Sequence, residues 1–143
     1  MSLMSDKYFI DTNIFIYSFN TEVQKKCIVS RKLIADAHEN STGVISYQVI
    51  QEFLNAATRK FENPMSYKDS QRFLTIVLEP LCEVFSSLEL YHRALEIMDQ
   101  WRYSFYDSLI IASAVQADCA LLYTEDMQHG QKIMNLTINN PFV

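Results

Sequence analysis

The chain has 143 residues, 49% of them apolar, a net charge of −5, and no apolar run as long as a membrane span. A chain of this length fits one domain, residues 1–143, burying about 68–70% of its unfolded surface in a single core, with no disordered or low-complexity stretch. Its two glycines, Gly43 and Gly130, form no glycine-rich phosphate loop, which excludes dinucleotide-binding dehydrogenases and P-loop ATPases.

Apolar runs and helical periods alternate along the chain. The start, Met1-Ser2-Leu3-Met4-Ser5-Asp6, lacks the basic opening and apolar middle of a signal peptide, so the cytoplasm is the expected location. Met1 to Leu3 reads as an added leader and Met4 as the natural start. Tyr8–Asp11 then reads as a strand and Thr12–Phe19 as a short helix. A second helix runs from Glu22 to about Ala37, followed by a brief strand at Gly43-Val44-Ile45. Ser46 suits the N-cap of a helix to about Lys60, which Asn63-Pro64 ends. Ser66 caps another helix through roughly Leu78, and Pro80 separates it from the strand Cys82–Phe85. Ser87 begins a helix to about Trp101, and Ser104 to Gln116 is a helix with hardly a polar face. Ala120–Tyr123 and Leu136–Ile138 are the last two strands.

Such alternation predicts an α/β fold with a parallel sheet covered by helices on both faces. In open sheets of this kind, the working site lies at the carboxyl ends of the strands. Three cysteines, Cys27, Cys82 and Cys119, form no C-x-x-C pair, and His38, His92 and His129 form no H-x-x-x-H pair. That pattern excludes a zinc cluster and predicts buried free thiols in a reducing compartment.

Four carboxylates are pressed against apolar runs: Asp11 after Tyr8-Phe9-Ile10, Glu52, Asp107 before Ser108-Leu109-Ile110-Ile111, and Asp126 after Leu121-Leu122-Tyr123. Each has an ordinary explanation. Asp11 can cap the helix that follows it, and Ser104-x-x-Asp107 has capping-box spacing. At about 100° per residue, Glu52 falls at the rim of the apolar face of Val49, Ile50, Phe53, Leu54, Ala56 and Ala57, where a solvated glutamate is common. Asp126 can start a turn toward Gly130. Capping does not explain the apolar helix behind Asp107, because a helix apolar all round is buried and its first-turn acid points into an enclosed place.

All four acids fall at the same end of the predicted sheet. Two charges about 4 Å apart repel by roughly 4 kcal/mol at an effective dielectric near 20, so a cluster needs protons or a cation. No basic residue lies within three positions of Asp107 or Asp126. Oxygen-only ligands select a hard cation, Mg2+ or Mn2+. These acids also carry most of the negative balance, so net charge is a poor guide to nucleic-acid binding. Lys25-Lys26 with Arg31-Lys32, and Arg59-Lys60, are explained equally well as phosphate contacts or as solvated helix faces.

The ordered set Asp11-Thr12-Asn13, Ser46 through Glu52, Tyr106-Asp107-Ser108-Leu109-Ile110-Ile111-Ala112, and Leu121 through Asp126 with Gly130 resembles the PIN-domain family over nearly the whole chain. The resemblance implies a three-layer α/β/α domain on a parallel sheet of about five short strands, and a metal-dependent ribonuclease. The length is most similar to the VapC-type toxins of toxin–antitoxin pairs, which implies an RNA substrate, a small antitoxin partner and a homodimer, with no membrane role. It implies a catalytic set of Asp11, Glu52, Asp107 and Asp126, with Mg2+ or Mn2+ held by Asp11, Asp107 and Asp126. Thr12 and Asn13 would support the first acid, and Thr124 would place its hydroxyl near a metal-bound water. The bulky approach Tyr103-Ser104-Phe105-Tyr106 bears on which RNA enters.

Two other readings use the same fold: a binding module without catalysis, and a housekeeping RNA-processing nuclease. A phosphotransferase of the haloacid dehalogenase type, with Asp11 as nucleophile, wants a second acid at position 13, where the chain has Asn13.

Overall fold

Short apolar segments pair into one sheet, and the amphipathic segments between them pack on it as helices. The computed structural model describes residues 6–143, so the expectations for Met1–Leu3 and Met4 lie outside the described residues. The elements in chain order are β1 (Tyr8–Ile10), α1 (Thr12–Tyr17), α2 (Gln24–Asn40), β2 (Gly43–Ser46), α3 (Tyr47–Arg59) and α4 (Tyr67–Phe73). They continue as β3 (Cys82–Val84), α5 (Leu88–Trp101), α6 (Phe105–Gln116), β4 (Leu121–Tyr123), β5 (Lys132–Ile133) and β6 (Leu136–Asn139). The strand order is β3-β2-β1-β4-β6-β5, and the arrangement is three-layer α/β/α.

Five of these strands are parallel, as expected. A sixth, β5, was not expected; it pairs antiparallel with β6 at the sheet margin. The tight turn between them places Met134 at φ 56°, a position where glycine is the usual signal. The helix begun at Ser66 also differs from expectation: beyond Phe73 it continues as a π-helical turn over Leu74–Leu78 and a 3-10 turn over Glu79–Leu81.

The core is formed by β1, β2 and β4 with the inner faces of the helices, and includes Phe9, Ile10, Val44, Ile45, Phe53 and Leu122. Gly43 is required by packing, because a Cβ there would lie 2.3 Å from the Ala37 Cβ where α2 crosses β2. In α6, Ser108 through Ala114 are all buried, as its apolar sequence demands. Its two buried serines differ: Ser113 Oγ donates to the Leu109 carbonyl at 2.8 Å, whereas Ser108 Oγ has no partner among the described residues. Cys27 and Cys119 are buried free thiols and Cys82 is half-buried; burial pushes Cys119 up to about 12, far from a reactive thiolate.

Candidate active site at the carboxyl edge of the sheet

The register of two neighbouring strands builds the centre of the site. Ile10 pairs with Tyr123, so Asp11 and Thr124 are the first residues beyond β1 and β4 on adjacent parallel strands. The Asp11 backbone N–H continues the ladder to the Tyr123 carbonyl at 3.0 Å. Residues in register share a face of the sheet. The Thr124 hydroxyl accordingly donates to Asp11 Oδ2 at 2.7 Å, and both side chains are buried. The other oxygen, Asp11 Oδ1, accepts from the Thr12 N–H at 2.7 Å and so caps α1. Capping and site-building are thus done by the two oxygens of one carboxylate.

Two of the other acids, Glu52 and Asp126, are held by hydrogen bonds from α1. Thr12 Oγ1 donates to Glu52 Oε1 at 2.6 Å, and Asn13 Nδ2 donates to Asp126 Oδ2 at 3.0 Å. Successive helical residues point about 100° apart, so Thr12 faces α3 while Asn13 faces the segment after β4. Of the two residues expected to support Asp11, Thr12 does so through its backbone N–H, whereas the Asn13 side chain bonds Asp126 instead. Thr124 Oγ1 also accepts from the Asp126 N–H at 3.1 Å, so one hydroxyl links two acids. Asp107 lies in the first turn of α6, where Ser104 Oγ caps its backbone N–H at 3.2 Å.

Gln48 was not anticipated. Buried at the start of α3, its Nε2 donates to the Tyr106 carbonyl at 3.2 Å and approaches Glu52 Oε2 at 3.4 Å, tying α3 to α6. Its spacing of four residues from Glu52, the same helix face, was the available signal. Ser46 starts α3 in extended geometry, yet its buried hydroxyl has no hydrogen-bond partner among the described residues, so the expected cap is made by backbone conformation alone.

A family model described as PIN domain matches residues 8–132. The chain belongs to the PIN domain family. Two solved structures share the fold along nearly its full length. A toxin–antitoxin complex from Klebsiella pneumoniae superposes with a TM-score of 0.66 at 16% identity, covering 94% of this chain and 98% of that one. VapBC2 from Rickettsia felis, bound to a DNA fragment from their promoter, gives 0.63 at 22% identity, covering 93% and 97%. Comparison with curated proteins returns no match.

The electrostatics of this PIN domain join the acids in a chain. Burial pushes Asp11 up to about 7, with Glu52 and Asp126 adding to the rise and the Thr124 and Thr12 bonds opposing it. Burial also raises Asp107, to which Glu52 adds. It raises Asp126 in the same way, with Asp107 and Glu125 adding. Among the described residues, no lysine or arginine forms an ion pair with any of the four acids.

Glu125, one residue from Asp126, is different. Its Oε1 accepts from the Tyr17 hydroxyl at 2.7 Å and its Oε2 is paired with the Lys26 ammonium. Burial would raise Glu125, but those two partners outweigh it and the carboxyl lies below its ordinary value.

The oxygen-only donor set fits a hard cation. Asn13 Oδ1, on the residue that bonds Asp126, is buried without a hydrogen-bond partner. Among the described residues, however, no three His, Cys, Asp or Glu side chains are close enough to enclose an ion. Asp11, Asp107 and Asp126 are related in pairs rather than closed into a cage. Mg2+ is compatible with this spread, because it is commonly held by one or two carboxylates and keeps several waters.

Proposed function

We propose that this protein is a Mg2+- or Mn2+-dependent endoribonuclease and the toxin of a toxin–antitoxin pair. One observation carries the reading: Asp11, buried at the sheet edge with no lysine or arginine paired to it among the described residues, feels the charges of Glu52 and Asp126, and Asp126 in turn feels that of Asp107. PIN domains generally work with divalent metal, and both structural neighbours are toxin–antitoxin complexes. Asp11, Asp107 and Asp126 would hold the ion, which would supply Lewis-acid activation of water and offset charge developing on the phosphate.

The protein's own residues supply the orientation. Thr124 and the Thr12 N–H fix both Asp11 oxygens, and Asn13 turns Asp126. Glu52, held by Thr12 and placed outside the metal set, accepts the proton released by the attacking water. Hydrolysis leaves a 5′-phosphate and a 3′-hydroxyl. The protein works in the cytoplasm as a homodimer restrained by a small antitoxin.

The test is cleavage of RNA by purified protein. Activity is expected with Mg2+ or Mn2+, to vanish with chelator, and to vanish in Asp107→Asn with an unchanged circular dichroism spectrum. Retained cleavage in that variant removes the role given to Asp107. Calorimetry showing no Mn2+ binding favours a non-catalytic binding module.

A further inference from the structure

Asp107 and Asp126 stand on separate pieces of chain, one on the first turn of α6 and the other on the segment after β4. Their separation depends on how those pieces are tied together. The segment after β4 is pinned to β6. Thr124 N–H donates to the Asn139 carbonyl at 3.1 Å, Gly130 N–H to the Ile138 carbonyl at 2.8 Å, and Ile138 N–H to the Gln131 carbonyl at 2.9 Å. The other piece is fixed by two caps. Helix α5 closes at Arg102, in left-handed conformation at φ 65°, with its N–H on the Met98 carbonyl at 3.0 Å. Ser104 then caps α6 through the Asp107 N–H. Tyr103 is the residue between those caps, so its backbone is set relative to Asp107. Its ring is half-buried against the core, and its hydroxyl reaches the other piece. That oxygen accepts from the Gln128 N–H at 3.3 Å and donates to Gln131 Oε1, the donor and acceptor roles a phenol can fill together. One phenol thus joins the chain four residues before Asp107 to the chain two residues after Asp126.

We infer that Tyr103 is a positioning residue, which sets the separation of Asp107 and Asp126 and thereby the affinity of the site for a divalent cation. The inference rests on the nuclease reading and deepens it by naming a residue that acts on the site through its acids. Asp126 is steadied on its own side by Asn13 and Thr124, but neither of those bonds refers it to Asp107. The Tyr103 hydroxyl does. Two acids held at a preset spacing lose little freedom when a cation arrives, whereas two independent ones must be ordered by it, at a cost in affinity. Groups beyond the ligands ordinarily tune a metal site in this way.

The experiment is calorimetric titration of the full chain with Mn2+. Tyr103→Phe keeps the ring and removes the hydroxyl, and should weaken Mn2+ binding about tenfold. Cleavage by that variant should fall at limiting Mn2+ and return at excess Mn2+, with KM for RNA unchanged. Gln131→Met removes only the acceptor and should give a smaller loss in the same direction. The double variant should bind Mn2+ no more weakly than Tyr103→Phe alone, because both changes cut one tie. Parent-like Mn2+ affinity in Tyr103→Phe overturns the positioning role, while cleavage by the parent leaves the nuclease reading intact. Losses that multiply in the double variant overturn it too, since they mark two unconnected packing defects. If Tyr103→Phe does not fold, Gln131→Met carries the test, and parent-like affinity there overturns the inference. No Mn2+ binding by the parent protein removes both readings together.

Discussion

Asp11 and Glu125 are carboxylates on the same side of one sheet, yet the structure treats them in opposite ways. Glu125 has an ammonium and a phenol as partners, and its acid strength is increased. Asp11 has only a hydroxyl and a backbone N–H, and burial pushes it up to about 7. Glu125 acts as a finished strut between α1, α2 and the segment after β4. Asp11 is held in geometry but left short of positive charge. A buried acid supplied with hydrogen bonds and denied a counter-ion is prepared to receive one from solution.

Neutralising Asp11 should expose its role most sharply. Asp11→Asn keeps the shape of the side chain and removes the charge. It is expected to lower ribonuclease activity by roughly 10²–10³-fold while raising the Tm of the metal-free protein at pH 8. Cleavage assays and thermal melts check the two signs, and a fall in both quantities would erase the contrast with Glu125.

The next effect is in pH. Asp11 rises from 3.8 to about 7 on folding, so the folded state holds a proton that the unfolded chain has released between those values. Stability of the metal-free protein is therefore expected to fall as pH rises through that window and to level off above it. Burial shifts Asp107 and Asp126 in the same direction. Mn2+ affinity should run the opposite way, rising between pH 6 and pH 8, because only the ionised acids bind the cation. Calorimetric titrations and melts across that range test both slopes.

Thr124→Val tests the hydroxyl that links Asp11 to Asp126. It leaves Asp11 Oδ2 and the Asp126 N–H without their partner, an expected loss of about 1–3 kcal/mol by denaturant unfolding. Lys26→Met should have the smallest effect: a slight, salt-sensitive fall in Tm with cleavage unchanged. A large loss of activity there would place Glu125 among the working acids.

The parts of this molecule legible in its sequence are those governed by short-range physics. Strands β1 and β4 and the all-apolar helix α6 follow from runs of residues that must leave water, and Asp11, Asp107 and Asp126 could be singled out because they border those runs. Ser66, Ser87 and Ser104 each accept from the backbone N–H three residues on, as N-caps do. Ser46 has the same residue type and position, yet its buried hydroxyl makes no such bond. Strand β5 escaped because two residues carry no alternation and Met134 occupies the place of the usual glycine. The partners of Thr12, Asn13 and Lys26 lie 40, 113 and 99 positions away, so nothing local encodes them. They follow only from how α1 and α2 sit over the strand ends.

The scarcity of glycine has a consequence for how the proposed nuclease would choose its substrates. Between Gly43 and Gly130 there is not one, and that interval contains Glu52, Asp107 and Asp126. The mouth of the site is lined by residues whose Cβ atoms narrow the range of backbone motion. Selection would then occur on arrival, by shape and stickiness, rather than through a flap that shuts behind the substrate. Preference among RNAs would be retuned by exchanging single side chains at that mouth, with the strands beneath left untouched.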